Sequence, residues 1–127
     1  MKLIALLVKK YALGLALLFT GITIAGSLMP SDNLSSTRFI EIPHFDKVVH
    51  FTMYMLMGLS WCTVFHNWKK SIYWVFGLLF ILGLGLEILQ FYFLTGRFFE
   101  IPDLIANITG SILGIIIFLM WIKRTTR

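Results

Sequence analysis

Four apolar runs, each roughly the 20 residues needed to cross a bilayer as a helix, leave this chain few ways to fold. They cover about 11–29, 46–66, 71–94 and 103–122. Lys9 and Lys10 precede the first run and Pro30 follows it. Pro102 stands before the fourth as a helix-start signal, with Asp103 expected at or near the N-cap. Composition agrees with lipid exposure. A soluble domain carries about 45–50% apolar and about 25% charged residues, whereas this chain has 58% and 13%. So few charges cannot cover a water-facing surface. The expected fold is all-α: a single domain over residues 1–127, built as an integral membrane bundle of four transmembrane helices.

Charge placement orients the bundle. Lys2, Lys9, Lys10, Lys69, Lys70, Lys123, Arg124 and Arg127 fall on one side of a four-helix arrangement, which the positive-inside rule assigns to the cytoplasm together with both termini. Asp32, Glu41, Asp46, Glu100 and Asp103 fall on the other. The net charge of +5 forms no stripe and flanks apolar runs, so nucleic acid is not an expected partner. Membrane lipids are. The polar stretch 30–45 reads as an outer loop. The short turn around residues 66–70 makes the second and third helices expected antiparallel neighbours. Lys2 to Lys10, the first apolar run and Ala25-Gly26-Ser27 together also resemble a signal peptide. The run is long for that role, and a retained helix is expected. Cys62 is the sole cysteine, which excludes an internal disulfide, and it reads as a packing residue.

Ionisable groups inside a span are costly and mark candidate sites. Glu87 lies roughly 6 Å outward of the middle of the third helix, counting 1.5 Å per residue, and Gln90 shares its face. Asp46 and His50 share a face at the outer end of the second helix, as do Asp103 and Asn107 on the fourth. Lys47, Arg97 and Glu100 lie close to the same surface. Three helices thus carry polar residues at one depth. The bland account is that Glu87, Gln90, His50 and Asn107 hold helices together by hydrogen bonds, and that Arg97 with Glu100 or Asp103 is a solvated ion pair worth little. His44 and His66 read as interfacial. Ala106, Gly110 and Gly114, at four-residue spacing, offer a neighbouring helix close approach, and Gly77, Gly83 and Gly85 offer the third helix the same.

These residues resemble the VanZ-like family of small bacterial membrane proteins. The resemblance rests on Asp46-Lys47-Val48-Val49-His50-Phe51 with Tyr54, on Glu87-Ile88-Leu89-Gln90-Phe91, on Gly96-Arg97, and on Asp103-Leu104-Ile105-Ala106-Asn107 with Gly110 and Gly114. It covers about the C-terminal two thirds and none of the first helix. Thr95 stands where many relatives carry proline, a departure in the outer loop that leaves the polar set intact. The resemblance implies a bacterial inner-membrane protein of the cell envelope, related to one that lowers susceptibility to the glycopeptide teicoplanin; it supplies no reaction.

Two main functions fit the residues. In the first, Asp46, Lys47, His50, Glu87, Gln90, Arg97, Asp103 and Asn107 form an outward site for a lipid-linked or peptidoglycan-related ligand, or for a partner enzyme. In the second, a membrane-embedded hydrolase or transferase uses Glu87 and His50 as a catalytic acid/base pair, while Arg97 and Lys47 hold a phosphate. Asp46, His50, Glu87 and Asp103 have no tight ligand spacing, so no metal is expected, and no cofactor motif is present. A transport pathway is disfavoured by the lack of buried charge in the inner half.

Overall fold

In the computed structural model the described residues are 2–29, 44–94 and 98–125, with side chains described over 10–29, 44–94 and 98–121. They form four helices: α1 (Lys2–Ser27), α2 (Phe45–Val64), α3 (Ser71–Phe93) and α4 (Ile101–Thr125). No strand occurs among them. Segments Lys10–Ser27, Ser71–Phe93 and Ile101–Trp121 are long and apolar enough to cross a membrane. The α2 helix has the length, at 20 residues, but dilutes its apolar run with Asp46, Lys47, His50 and several hydroxyl side chains. Most of the expected outer loop at 30–45, and Arg97, lie outside the described residues.

Helix ends depart from expectation at two places. The first helix starts at Lys2, about nine residues before its apolar run, because lysine ends a hydrophobic stretch without ending a helix. The fourth starts two residues before Asp103. Asp103 and Leu104 both donate to the Glu100 carbonyl, at 3.1 and 3.3 Å, so Glu100 holds the N-cap position and Asp103 sits in the first turn. Pro102 fits that turn, where an N–H has no helical partner to lose.

The central element is α2. It packs along α4, which runs parallel to it, with α1 on another side and α3 in lighter contact. The short turn does bring α3 back beside α2, but the closer neighbour of α2 is α4. Small residues explain the closeness. A Cβ at Gly110 would collide with the Phe51 carbonyl, and one at Gly114 with the Met55 carbonyl and the Leu59 nitrogen. On the facing side, a Cβ at Gly58 would lie 2.9 Å from the Ser111 carbonyl oxygen. On α3, Gly83 alone does this kind of work, facing Asn107 and Tyr54, whereas Gly77 and Gly85 have nothing within 4 Å; the expectation for those two is corrected. Below this contact lies the core, where Tyr54, Met57, Cys62, Val75, Leu79, Ile115 and Phe118 are buried. Cys62 is a free, fully buried packing residue.

Candidate functional site

The parallel α2/α4 pair carries its polar residues in register. The pairs Lys47–Asp103 and His50–Asn107 occupy successive turns at the end where both helices start. At the rim, Lys47 Nζ donates to Glu100 Oε2 at 2.8 Å and Asp46 Oδ2 at 2.9 Å, and lies 3.0 Å from Asp103 Oδ1 as an ion pair. The rim is open to solvent at Asp46 and Glu100, whose side chains are 55% and 48% exposed, and closes at Asp103, at 8%. Oxygens of the three acids lie within 4.8 Å of one another, a spacing at which uncompensated like charges repel. The ammonium occupies the position where a cation relieves that repulsion. The alternative metal set weighed from sequence, Asp46, His50, Glu87 and Asp103, does not gather; Glu100 replaces His50 and Glu87, and Lys47 supplies the positive charge.

A buried layer lies below the rim. His50 Nδ1 is 3.0 Å from Asn107 Oδ1, the geometry of an imidazole N–H donating to an amide oxygen. The other end of that amide rests over Gly83: a Cβ there would be 3.2 Å from Asn107 Nδ2 and 3.3 Å from the Tyr54 hydroxyl. The glycine therefore makes room for both polar tips. Glu87 is 1% exposed, and its Oε2 accepts from the Glu100 backbone N–H at 3.3 Å. That contact sets the carboxylate against the start of α4, where unpaired N–H groups and the helix dipole favour negative charge. His50, Asp103 and Glu100 are all near enough to act on its charge. The Tyr54 hydroxyl, also buried, has no hydrogen-bond partner. Asp103 Oδ1 is equally enclosed and also lacks a hydrogen-bond partner, but it is ion-paired with Lys47.

Gln90 turns elsewhere. Its Nε2 donates to the Ser27 carbonyl at 2.7 Å, satisfying an orphan acceptor at the C-terminal end of α1 and tying α1 to α3. Of the sequence-predicted site residues, Asp46, Lys47 and Asp103 thus meet at the rim, and His50, Asn107 and Glu87 lie beneath it. Gln90 joins α1 instead, and Arg97 lies outside the described residues. The proposed acid/base pair is held on separate partners, His50 on Asn107 and Glu87 on the Glu100 backbone. Sequence reasoning gave Tyr54 no role in the site. A signal was available, since Tyr54 stands four residues after His50 and eight after Asp46, on one helical face.

Comparison with known proteins decides the family. The sequence model described as VanZ/LLP1 matches residues 5–123. The chain belongs to the VanZ/LLP1 family. The match takes in most of α1 as well as the polar helices, further than the resemblance read from motifs. The chain is also similar to an uncharacterized protein of Schizosaccharomyces pombe, 36% identical over an alignment of 104 positions that covers 76% of this chain and 60% of the relative. The aligned part thus leaves about two fifths of that relative unmatched. No solved structure matches the chain.

Proposed function

We propose that this VanZ/LLP1 protein is a multi-pass protein of the plasma membrane and an accessory of the cell envelope. In this reading α2 completes a set of four spans, both termini are cytoplasmic, and the rim around Lys47 faces outward to bind a polar envelope ligand or a partner protein. The carrying observation is the convergence of three helices on one end: Lys47 among Asp46, Glu100 and Asp103, with His50, Asn107 and Glu87 buried beneath. Orientation rests on Lys10, Lys69 and Lys70 at the opposite end. Burying so many polar groups at one depth is expensive unless they are used, and the rim's two exposed carboxylates supply the accessible contact surface. A eukaryotic relative weighs towards a ligand common to membranes, such as a lipid headgroup, over one confined to peptidoglycan. Lower teicoplanin susceptibility, in bacteria that carry the protein, is then an indirect result of altered surface chemistry.

The hydrolase or transferase reading draws less support. Glu87 is 1% exposed, its Oε2 is held by the Glu100 backbone N–H, and His50 is paired with Asn107 instead of with Glu87. The test is teicoplanin susceptibility of a sensitive Gram-positive host expressing wild type, Lys47→Met, His50→Ala or Glu87→Gln at matched membrane levels. Protection by wild type that is lost in Lys47→Met supports the rim as the contact surface. Protection by all four chains makes the polar cluster structural glue, and no protection by wild type removes the glycopeptide role.

A further inference from the structure

The opposite end of the bundle carries a second feature that the polar rim does not explain. Between α1, α2 and α3 lies an apolar cleft of about 320 Å³, roughly twice the 150 Å³ of an engineered cavity that holds benzene. Its walls include Trp61 of α2 and Phe65 just past its end, Val75, Leu79 and Leu82 of α3, and Thr20 of α1. The two polar groups among these are occupied with each other: Trp61 Nε1 donates to Thr20 Oγ1 at 3.1 Å, and that hydroxyl donates to the Ala16 carbonyl at 2.7 Å. Water entering the cleft would find no partners and is excluded. Leu78, 57% exposed, stands at the mouth, so the cleft opens sideways from the bundle. At membrane depth the apolar material at such a mouth is the acyl chain of a lipid.

The charge around the inner edge of the cleft narrows the choice of lipid. Phe65 caps the end of α2, and the turn that follows carries Lys69 and Lys70, both exposed. The turn at residues 65–70 contains Lys69 and Lys70 and no Asp or Glu, so its two fixed side-chain charges are both positive. Trp68 and Trp74, stacked with ring centroids 5.9 Å apart, flank the lysines and belong at the headgroup level, where tryptophan is favoured. We infer that this is a binding site for an anionic phospholipid, with one acyl chain in the α1/α2/α3 cleft and the phosphate headgroup on Lys69 and Lys70. The site lies at the other end of the bundle from the Lys47 rim. Its test does not depend on the rim's function, nor on which side of the membrane is which.

The experiment uses full-length chains with one tryptophan each, reconstituted into phosphatidylcholine vesicles. One keeps Trp61 alone. The control has Trp61, Trp68, Trp74 and Trp121 replaced by Phe and carries Met120→Trp; Met120 is exposed on α4 at about the depth of Trp61, given the α2/α4 register. Fluorescence quenching is compared for brominated phosphatidylglycerol and brominated phosphatidylcholine at equal share. Trp61 is expected to favour the anionic quencher by about fivefold over the control, the preference one well-placed lysine gives near a membrane surface. Lys69→Gln with Lys70→Gln, in the exposed turn and outside the core, should abolish that preference while leaving quenching by phosphatidylcholine in place. Equal preference at Trp61 and at position 120 would mean a general lipid annulus and overturn the site. Absence of quenching at Trp61 would overturn the acyl chain in the cleft, and a preference that survives both lysine substitutions would overturn the headgroup assignment.

Discussion

Replacing Gly114 by alanine tests the α2/α4 contact on which the polar site depends. The added methyl group would meet three backbone atoms of α2: the Met55 carbonyl oxygen, the Leu59 nitrogen at 2.9 Å and the Met55 carbonyl carbon at 3.0 Å. None belongs to a side chain that can rotate away. Carbon atoms settle at about 3.5–4.0 Å, so α2 has to retreat by on the order of 1 Å. Overpacking of this kind costs about 1–3 kcal/mol. Against it stands the gain of about 0.5–1 kcal/mol from removing a glycine from a helix. Gly85→Ala is the matched control, since nothing lies within 4 Å of its new methyl and only the gain applies. The two variants should differ by about 2 kcal/mol, roughly 30-fold in the folding equilibrium. Reversible unfolding in mixed micelles, titrated with dodecyl sulfate and followed by circular dichroism, measures the gap. Cys62 gives an independent readout. As the sole cysteine, fully buried in the described structure, it should alkylate faster in Gly114→Ala. Coincident unfolding curves for Gly114→Ala and Gly85→Ala, with no change at Cys62, would refute the close α2/α4 packing.

Three further outcomes follow from the polar residues. Lys47→Met leaves three carboxylates without their shared cation and should lower stability by about 1–3 kcal/mol; adding Asp103→Asn, the most enclosed of the three, should recover part of the loss in the same titration. Tyr54→Phe keeps the ring and removes a buried hydroxyl that has no partner, so stability should hold or rise by up to about 1 kcal/mol, and a loss of that size would reveal a partner. Gln90→Leu breaks the bond to the Ser27 carbonyl and should cost about 0.6 kcal/mol, the usual worth of such bonds inside a membrane. A cost several times larger would mean that α1 is held to the bundle mainly at that point.

The helices were legible because apolar runs and helices coincide when the surrounding solvent is lipid. The ends of α2, α3 and α4 fall within about three residues of the expected positions, and only the start of α1 was far off, where lysines interrupt the run but not the backbone. The depth of the site was also legible, since it follows from counting along each helix to Glu87, His50 and Asn107. Partner choice was not. The spacing of Gly110 and Gly114 defines a face of α4 without naming the helix that covers it, and the same spacing logic wrongly enlisted Gly77 and Gly85. Gly58, set between Met57 and Leu59, gave no local hint that it faces Ser111. Lys47 was read into the outward site, but its setting among three carboxylates was not legible, because Glu100 and Asp103 reach it across more than fifty residues of chain. Tyr54 was passed over for the same reason: the glycine and the amide that surround its hydroxyl sit on α3 and α4.

The failure of α2 to match the other helices in apolarity is itself informative. A helix at the edge of a bundle shows most of its surface to lipid and has to be apolar there, as α3 is along Tyr73, Trp74, Leu78 and Ile81, all well exposed. A helix covered by neighbours is free of that demand. The buried face of α2 bears Tyr54, Met57, Gly58, Ser60, Cys62 and Thr63. The hydroxyls of Ser60 and Thr63 are turned back onto the Leu56 and Leu59 carbonyls at 2.7 Å, so they add little polarity where α1 and α4 press against them. Small and polar residues there do two things that leucine cannot: they let the α4 backbone come close, and they carry a polar row from Lys47 down to Tyr54. Low apolarity in α2 is therefore what its central, covered position in the bundle permits, with the polar row at the end where α2 and α4 both start.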